Sequence, residues 1–345
     1  MVCQKVTLFY VAYFHTFCAQ KDLFSASEIQ RPLSTTQPEH VLNLPLVSKS
    51  EESAHLPLAI NVVAKYWGED LSPMAQAPAS KAAVMIDGID LAEKRGLACY
   101  IYRSSIKDLK KRIDQGMPLI AILPGIQDVV QHATVVSGYD NDERKILTYV
   151  PEPDAFGAVP EPKFESDWAQ DDTTAIVLVP EDMKNVMKKD DLKFVESNRL
   201  CFESERPRQQ GNFHTVINML ERATDKDPDN PQAWCLLAGV YNEQGLELAI
   251  SCYQRTIKLN PRYYLAYRGL GNYYLKKNDY SLAEANYTKA VEINPSRFGP
   301  IYKNRAVARL QIGNNAGAKQ DLITYLDQTP NASDRKSIQD AISQL

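Results

Sequence analysis

The sequence predicts an α+β domain followed by an all-α repeat solenoid. Three observations carry this. Between residues 41 and 180, helical segments come first and strand-like runs separated by turn residues follow. Between residues 229 and 330 the chain repeats itself at intervals of 33 to 35 residues. The stretch between them, 181–191, is charged and reads as a linker helix.

The repeat is legible residue by residue. Pro228, Pro261, Pro295 and Pro330 punctuate it, with Asn260 and Asn294 preceding the middle two. Within each interval an aromatic comes first (Trp234, Tyr267, Tyr302), then a small residue (Ala238, Gly271, Ala306). A turn follows (Gly245, Asn278, Gly313), then an alanine (Ala249, Ala283, Ala318) and a large residue (Tyr253, Tyr287, Leu322). Each interval therefore holds two apolar-periodic helices, such as 265–276 and 280–293. Neither is long enough to be stable alone, so each must bury a face on its neighbours. The third interval carries Arg305 and Arg309 where apolar residues are expected. A degenerate fourth unit precedes them (Gly211, Phe213, Leu220, Ala223, Pro228), with Pro207 interrupting its first helix. Residues 332–345 read as a helix that caps the open end. This order and period resemble the tetratricopeptide repeat, a pair of antiparallel helices per unit.

Composition bounds the function. A chain of 345 residues with 44% apolar and 24% charged residues builds two or three globular domains. A net charge of −4 without a basic block argues against nucleic acid as a partner. Six cysteines without Cys-x-x-Cys spacing argue against zinc or thioredoxin-like chemistry. No cofactor is expected.

Residues 1–18 place Lys5 before an apolar run from Val6 to Phe14 and end at Cys18. A charge before about nine apolar residues is signal-peptide-like and too short to span a bilayer. Cys18 stands where a bacterial lipoprotein carries its lipid, with Phe17 before it in place of the usual small residue. Export or membrane anchoring is the expectation, and an uncleaved hydrophobic N-terminus in the cytoplasm is the alternative. Residues 19–40 are polar and read as a tether.

Residues 41–180 form the first domain. A strand is expected over 41–47, helices over 58–66, 81–95 and after Ser104 or Ser105, and strands over 97–102, 119–123, 133–139, 145–149 and 174–179. Four prolines (151, 153, 160, 162) mark 150–164 as a surface loop. Two segments stand out. His55-Leu56-Pro57 opens a helix ending Tyr66-Trp67-Gly68, and His132 opens a strand ending Gly138-Tyr139-Asp140. Both resemble the bacteriocin-processing (double-glycine leader) cysteine peptidases of the papain-like superfamily. The resemblance implies a papain-like α+β fold and places the nucleophilic thiol at His55, the oxyanion donor at Lys49 and the orienting carboxylate near Val150-Pro151, with Asp154 close by. Only His132 is retained. A thiolate, a base and an orienting group are all needed for such catalysis, so a pseudo-peptidase is expected. Two alternatives remain. One is a peptidase or amidase using Ser53 with His132. The other, weaker, is a metal sensor through His55 and His132.

In a stacked solenoid the first helix of each unit lines a concave face. That face is expected to carry Cys235, Gly239, Asn242, Leu265, Arg268, Asn272, Lys276, Lys303 and Val307. Arg268, Asn272 and Asn304 partly resemble the clamp with which some members of the repeat family hold a C-terminal carboxylate. The expected activity is binding of a peptide or protein partner there, with Asn242, Arg268, Asn272, Lys276, Lys303 and Asn304 as contacts. Cys235 and Cys252 are expected to be small core residues.

Overall fold

The computed structural model describes residues 40–47, 57–74, 85–125, 130–149 and 156–345. The alternating runs of the first domain assemble into one seven-stranded sheet. Strands β2 (Leu97–Arg103), β3 (Leu119–Pro124), β4 (Gln131–Asp140), β5 (Lys145–Tyr149), β6 (Phe156–Pro160) and β7 (Thr174–Pro180) lie in the order β2-β7-β3-β4-β5-β6, antiparallel throughout. Of the strand expected over 41–47, only β1 (His40–Val41) pairs, with the far end of β4. There the carbonyl of His40 and the Cα of Val41 crowd Gly138, so a side chain at 138 would push β1 off.

Helices cover both faces. On one, α1 (Leu58–Tyr66) and α2 (Met85–Lys94) share an apolar cluster with Ile101, Ile120, Ala133, Val135 and Ile176. On the other, α3 (Ile106–Asp114) and α4 (Glu161–Trp168) cluster with Tyr102, Leu119, Leu123, Val136 and Val177. A sheet buried on both sides needs apolar residues facing both ways, and β7 is buried from Thr174 to Val179. Ser105 caps α3 by accepting from the Asp108 amide, and Gly116, at φ +76°, ends it.

The loop expected over 150–164 is corrected. Residues 156–160 form β6 and 161–168 form α4, whereas 150–155 lie outside the described residues. Pro160 and Pro162 sit at the N-terminus of α4, where a missing N–H costs nothing. The linker region is a 3-10 turn (Glu181–Met183) followed by the short α5 (Lys184–Lys188).

Residues 195–345 are helical hairpins. Helices α9 (Pro231–Glu243) and α10 (Leu248–Leu259), α11 (Tyr264–Lys276) and α12 (Tyr280–Ile293), and α13 (Pro300–Gln311) and α14 (Asn315–Gln328) form three units. Before them, α6 (Val195–Glu203) and α7 (Glu205–Gln209) together stand as a broken first helix, and α8 (Phe213–Lys226) is the second. The break falls at Ser204, one turn ahead of Pro207. α15 (Arg335–Gln344) lays Ile338, Ala341 and Ile342 against the last unit. Small residues set the close approaches. Ala238, Ala306, Ala249, Ala283 and Ala318 have no exposed surface, and Tyr253 packs against Gly269 of the next hairpin while Tyr287 packs against Gly271 of its own.

The two arginines of the third unit are not misplaced. Arg305 donates from Nε and Nη2 to the two carboxylate oxygens of Asp321, at 2.9 and 2.7 Å. Arg309 bonds Asp321 and Glu284. A buried ion network replaces the apolar contact that the repeat pattern anticipates.

Candidate functional site

The first helices of the units, α9, α11 and α13, supply the groove. Their polar residues divide into two sets. Asn242 is fully buried and its Nδ2 donates to the Gly269 carbonyl at 3.2 Å, tying α9 to α11. Asn272 is nearly buried and accepts from the Tyr287 hydroxyl at 2.7 Å and from Asn304 Nδ2 at 3.3 Å. These two hold the stack together, as do the buried Cys235, Gly239 and Leu265. The second set reaches solvent. Lys276 donates to the carbonyl and side-chain oxygens of Asn242 at 3.1 and 3.2 Å. Burial of part of its stem lowers the Lys276 pKa. Lys303 pairs with Asp334 at 2.8 Å. Val307 is 41% exposed. Arg268 lies over the Phe298 ring, 4.3 Å from its centroid, and no carboxylate pairs with it among the described residues. Cys235 and Cys252 are buried and not joined in a disulfide, and burial raises the Cys252 pKa to about 11.

In the sheet domain His132 is half-buried, with its Nδ1 enclosed and unpartnered. Burial is the main cause that lowers its pKa to about 4. Its antiparallel partner is Leu123, so by register it points to the sheet face that carries Leu119, Ala121 and Leu123. Helix α1 shares a cluster with Ala133 and Val135, which point the other way. His132 therefore does not face the packing surface of α1. His55, Ser53, Lys49, Asp154 and Cys18 lie outside the described residues. No group of three or more His, Cys, Asp or Glu among the described residues is arranged to hold a metal.

A further buried polar cluster is one the residue patterns do not single out. It lies where the repeat junctions meet the 3-10 turn Ala169–Asp171 after α4. Arg297, with no exposed surface, donates from Nη2 to Asp171 at 2.7 and 3.0 Å, from Nη1 to Gln170 at 3.4 Å and from Nε to the Val130 carbonyl at 3.3 Å. Gln131 also donates to Asp171. Asn294 donates to Gln170 at 3.2 Å, and Asn260 donates to the Ala169 carbonyl at 2.9 Å and to Asp172 at 3.4 Å. The hint in the sequence is confined to Asn260 and Asn294, which precede the two middle prolines.

Asp172 and His132 give opposite pH dependences. Burial raises the Asp172 pKa to about 7, against the pull of Arg103 at 3.2 Å and of Asn260. Folded Asp172 holds its proton more tightly than the unfolded chain does, so its contribution to stability falls as pH rises from about 4 to 7. Folded His132 releases its proton earlier than the unfolded chain, so its contribution rises over about pH 4 to 6.5. The slopes oppose each other. Thermal melts across this range should climb more steeply with pH in Asp172→Asn than in the wild type, and less steeply in His132→Gln.

Comparison with known proteins bears on the helical half. A family model of the tetratricopeptide repeat matches residues 264–297, the α11–α12 hairpin and the turn after it. Anaphase-promoting complex subunit 3 of Schizosaccharomyces pombe is 24% identical over 110 residues, 32% of this chain. The chain spans 16% of that relative's length. Among solved structures, a thermophilic TPR protein of Thermus thermophilus is 21% identical, with a TM-score of 0.35 over 43% of this chain and 80% of its own. MamA is 18% identical, with a TM-score of 0.35 over 41% of this chain and 88% of its own. Pseudomonas aeruginosa pilF is 18% identical, with a TM-score of 0.38 over 43% of this chain and 76% of its own. The family match places a tetratricopeptide repeat at residues 264–297, within a C-terminal part built of stacked helical hairpins.

Proposed function

We propose that this chain is a non-catalytic interaction protein that holds a peptide or protein segment in the solenoid groove. The observation that carries the reading is Arg268. Its guanidinium is flattened on Phe298, while Arg297, Arg305 and Arg309 of the same solenoid are each spent on a carboxylate. A planar cation held on an aromatic ring suits a carboxylate of an incoming chain. Lys276, Lys303 and Asn304 extend the polar side of that surface, and Val307 gives it an apolar floor.

The finer reading, an inactive peptidase-like scaffold in the first domain, is supported by the order of helices and antiparallel strands and by His132 at the start of β4. The register of His132 gives it no partner on α1, and we assign it no catalytic part. Export with lipid on Cys18 is a proposal that rests on the order of charge, apolar run and cysteine. Among the described residues no helix is long and apolar enough to cross a membrane.

The test is a comparison of partner recovery by the intact protein, by Arg268→Glu and by Lys258→Glu, whose side chain is exposed on the second helix of its unit. Arg268→Glu should lose recovery at least tenfold, about the worth of one charge-assisted contact. Lys258→Glu should match the wild type. Equal recovery by all three would remove the groove from the account.

A further inference from the structure

Two contacts stand out along the seam between sheet domain and solenoid. At one end α6 packs on β2, with Cys201 and Phe202 in the same apolar cluster as Leu97 and Ile101. Arg199 reaches Asp90 and Glu93 of α2 beside it. At the other end, far along the chain, the repeat junctions meet the turn at 169–171. The first contact is apolar and continuous with the core. The second is polar, and its ion pair is dry, since Arg297 and Asp171 have side chains 0% and 1% exposed.

We propose that Arg297 and Asp171 form a latch that fixes the solenoid against the sheet domain, with α6 on β2 as the pivot. Such a pair is a poor source of net stability, because each charge loses its water when the seam closes. It is a strong source of specificity, because the seam closes only in the one register that gives both charges their partners. Arg297 shows this. Its three nitrogens are used on Asp171, Gln170 and the Val130 carbonyl, and its guanidinium also lies over Tyr264, 4.8 Å from the ring centroid. The Asn residues that close successive units add rungs. Asn260 meets Ala169 and Asp172, Asn294 meets Gln170, and Gln232 accepts from Thr174 at 3.1 Å. Three of the unit junctions thereby meet the stretch 169–174. Opening the latch rehydrates both charges and swings the groove about α6 without unfolding either part. The latch does not depend on what the groove binds.

Hydrogen exchange on the full-length chain tests this. Arg297→Gln leaves Asp171 buried without its cation, and Asp171→Asn leaves Arg297 without its anion. Each should speed amide exchange in 169–174 and in 294–299 together by about tenfold or more, while β3 keeps its wild-type protection. The double variant Arg297→Gln/Asp171→Asn buries no lone charge and should regain most of the protection lost by either single change. Three results would overturn the latch: wild-type exchange in the single variants, loss of protection in only one of the two segments, or a double variant as open as the singles. Loss of β3 protection would mean that the pair supports the sheet domain itself, which also contradicts a latch.

Discussion

Replacing Gly269 with alanine should unfold the solenoid more readily than any other single methyl added to it. A Cβ built at 269 clashes with the hydroxyl edge of the Tyr253 ring, which is 2% exposed and packed between hairpins. The ring is rigid and its surroundings are full, so the helices must part. Overpacking of this kind costs about 1–3 kcal/mol, and a clash with a buried ring lies at the upper end or beyond it. Gly271 faces Tyr287 in the same way, with a built Cβ 2.5 Å from the ring. Gly239 is the control. Its nearest neighbours would be 3.9 Å away, so Gly239→Ala should be neutral or stabilising by up to about 1 kcal/mol through helix propensity. Denaturant melts of the three variants check the order.

Asp321→Ala should be nearly as damaging, for an electrostatic reason. Asp321 is 2% exposed and is the shared acceptor for Arg305 and Arg309. Its loss strands the Arg305 guanidinium, which is itself 7% exposed and keeps no carboxylate among the described residues, just the Thr288 hydroxyl at 3.2 Å and the Tyr302 ring. Removing one member of a buried pair costs about 3–5 kcal/mol. Arg309→Leu should cost much less, because Arg309 is half-buried and Asp321 keeps Arg305. The difference between the two variants separates a stranded charge from a lost contact.

What is legible in the sequence is what is local. The helix expected over 265–276 spans Tyr264–Lys276, and the one expected over 280–293 spans Tyr280–Ile293. Period, turn residues and proline stops all act within a few residues of one another. The region 156–164 reads as loop because prolines commonly signal loops, whereas two of these start a helix. Arg305 and Arg309 look like departures from the repeat because Asp321 and Glu284 come close only once α12, α13 and α14 have stacked. The helix positions of Asn242 and Asn272 point them into the groove. The structure shows them bridging neighbouring helices, a role that depends on Gly269 and Tyr287 across the interface. The part played by Arg297 is hidden for the same reason. Its carboxylate lies 126 residues away in another domain.

The central claim is that the groove of the solenoid is where this chain meets its partner. Val307→Cys places a thiol on the groove face of α13, and Leu248→Cys places one at the 57% exposed hairpin turn of α10. The thiols of Cys99, Cys201, Cys235 and Cys252 have raised pKa values through burial or are enclosed in the core, so they react slowly. With partner bound, alkylation at 307 should slow at least tenfold while alkylation at 248 stays unchanged, about what exclusion of water from one contact residue produces. Unchanged alkylation at 307 under saturating partner would contradict the claim.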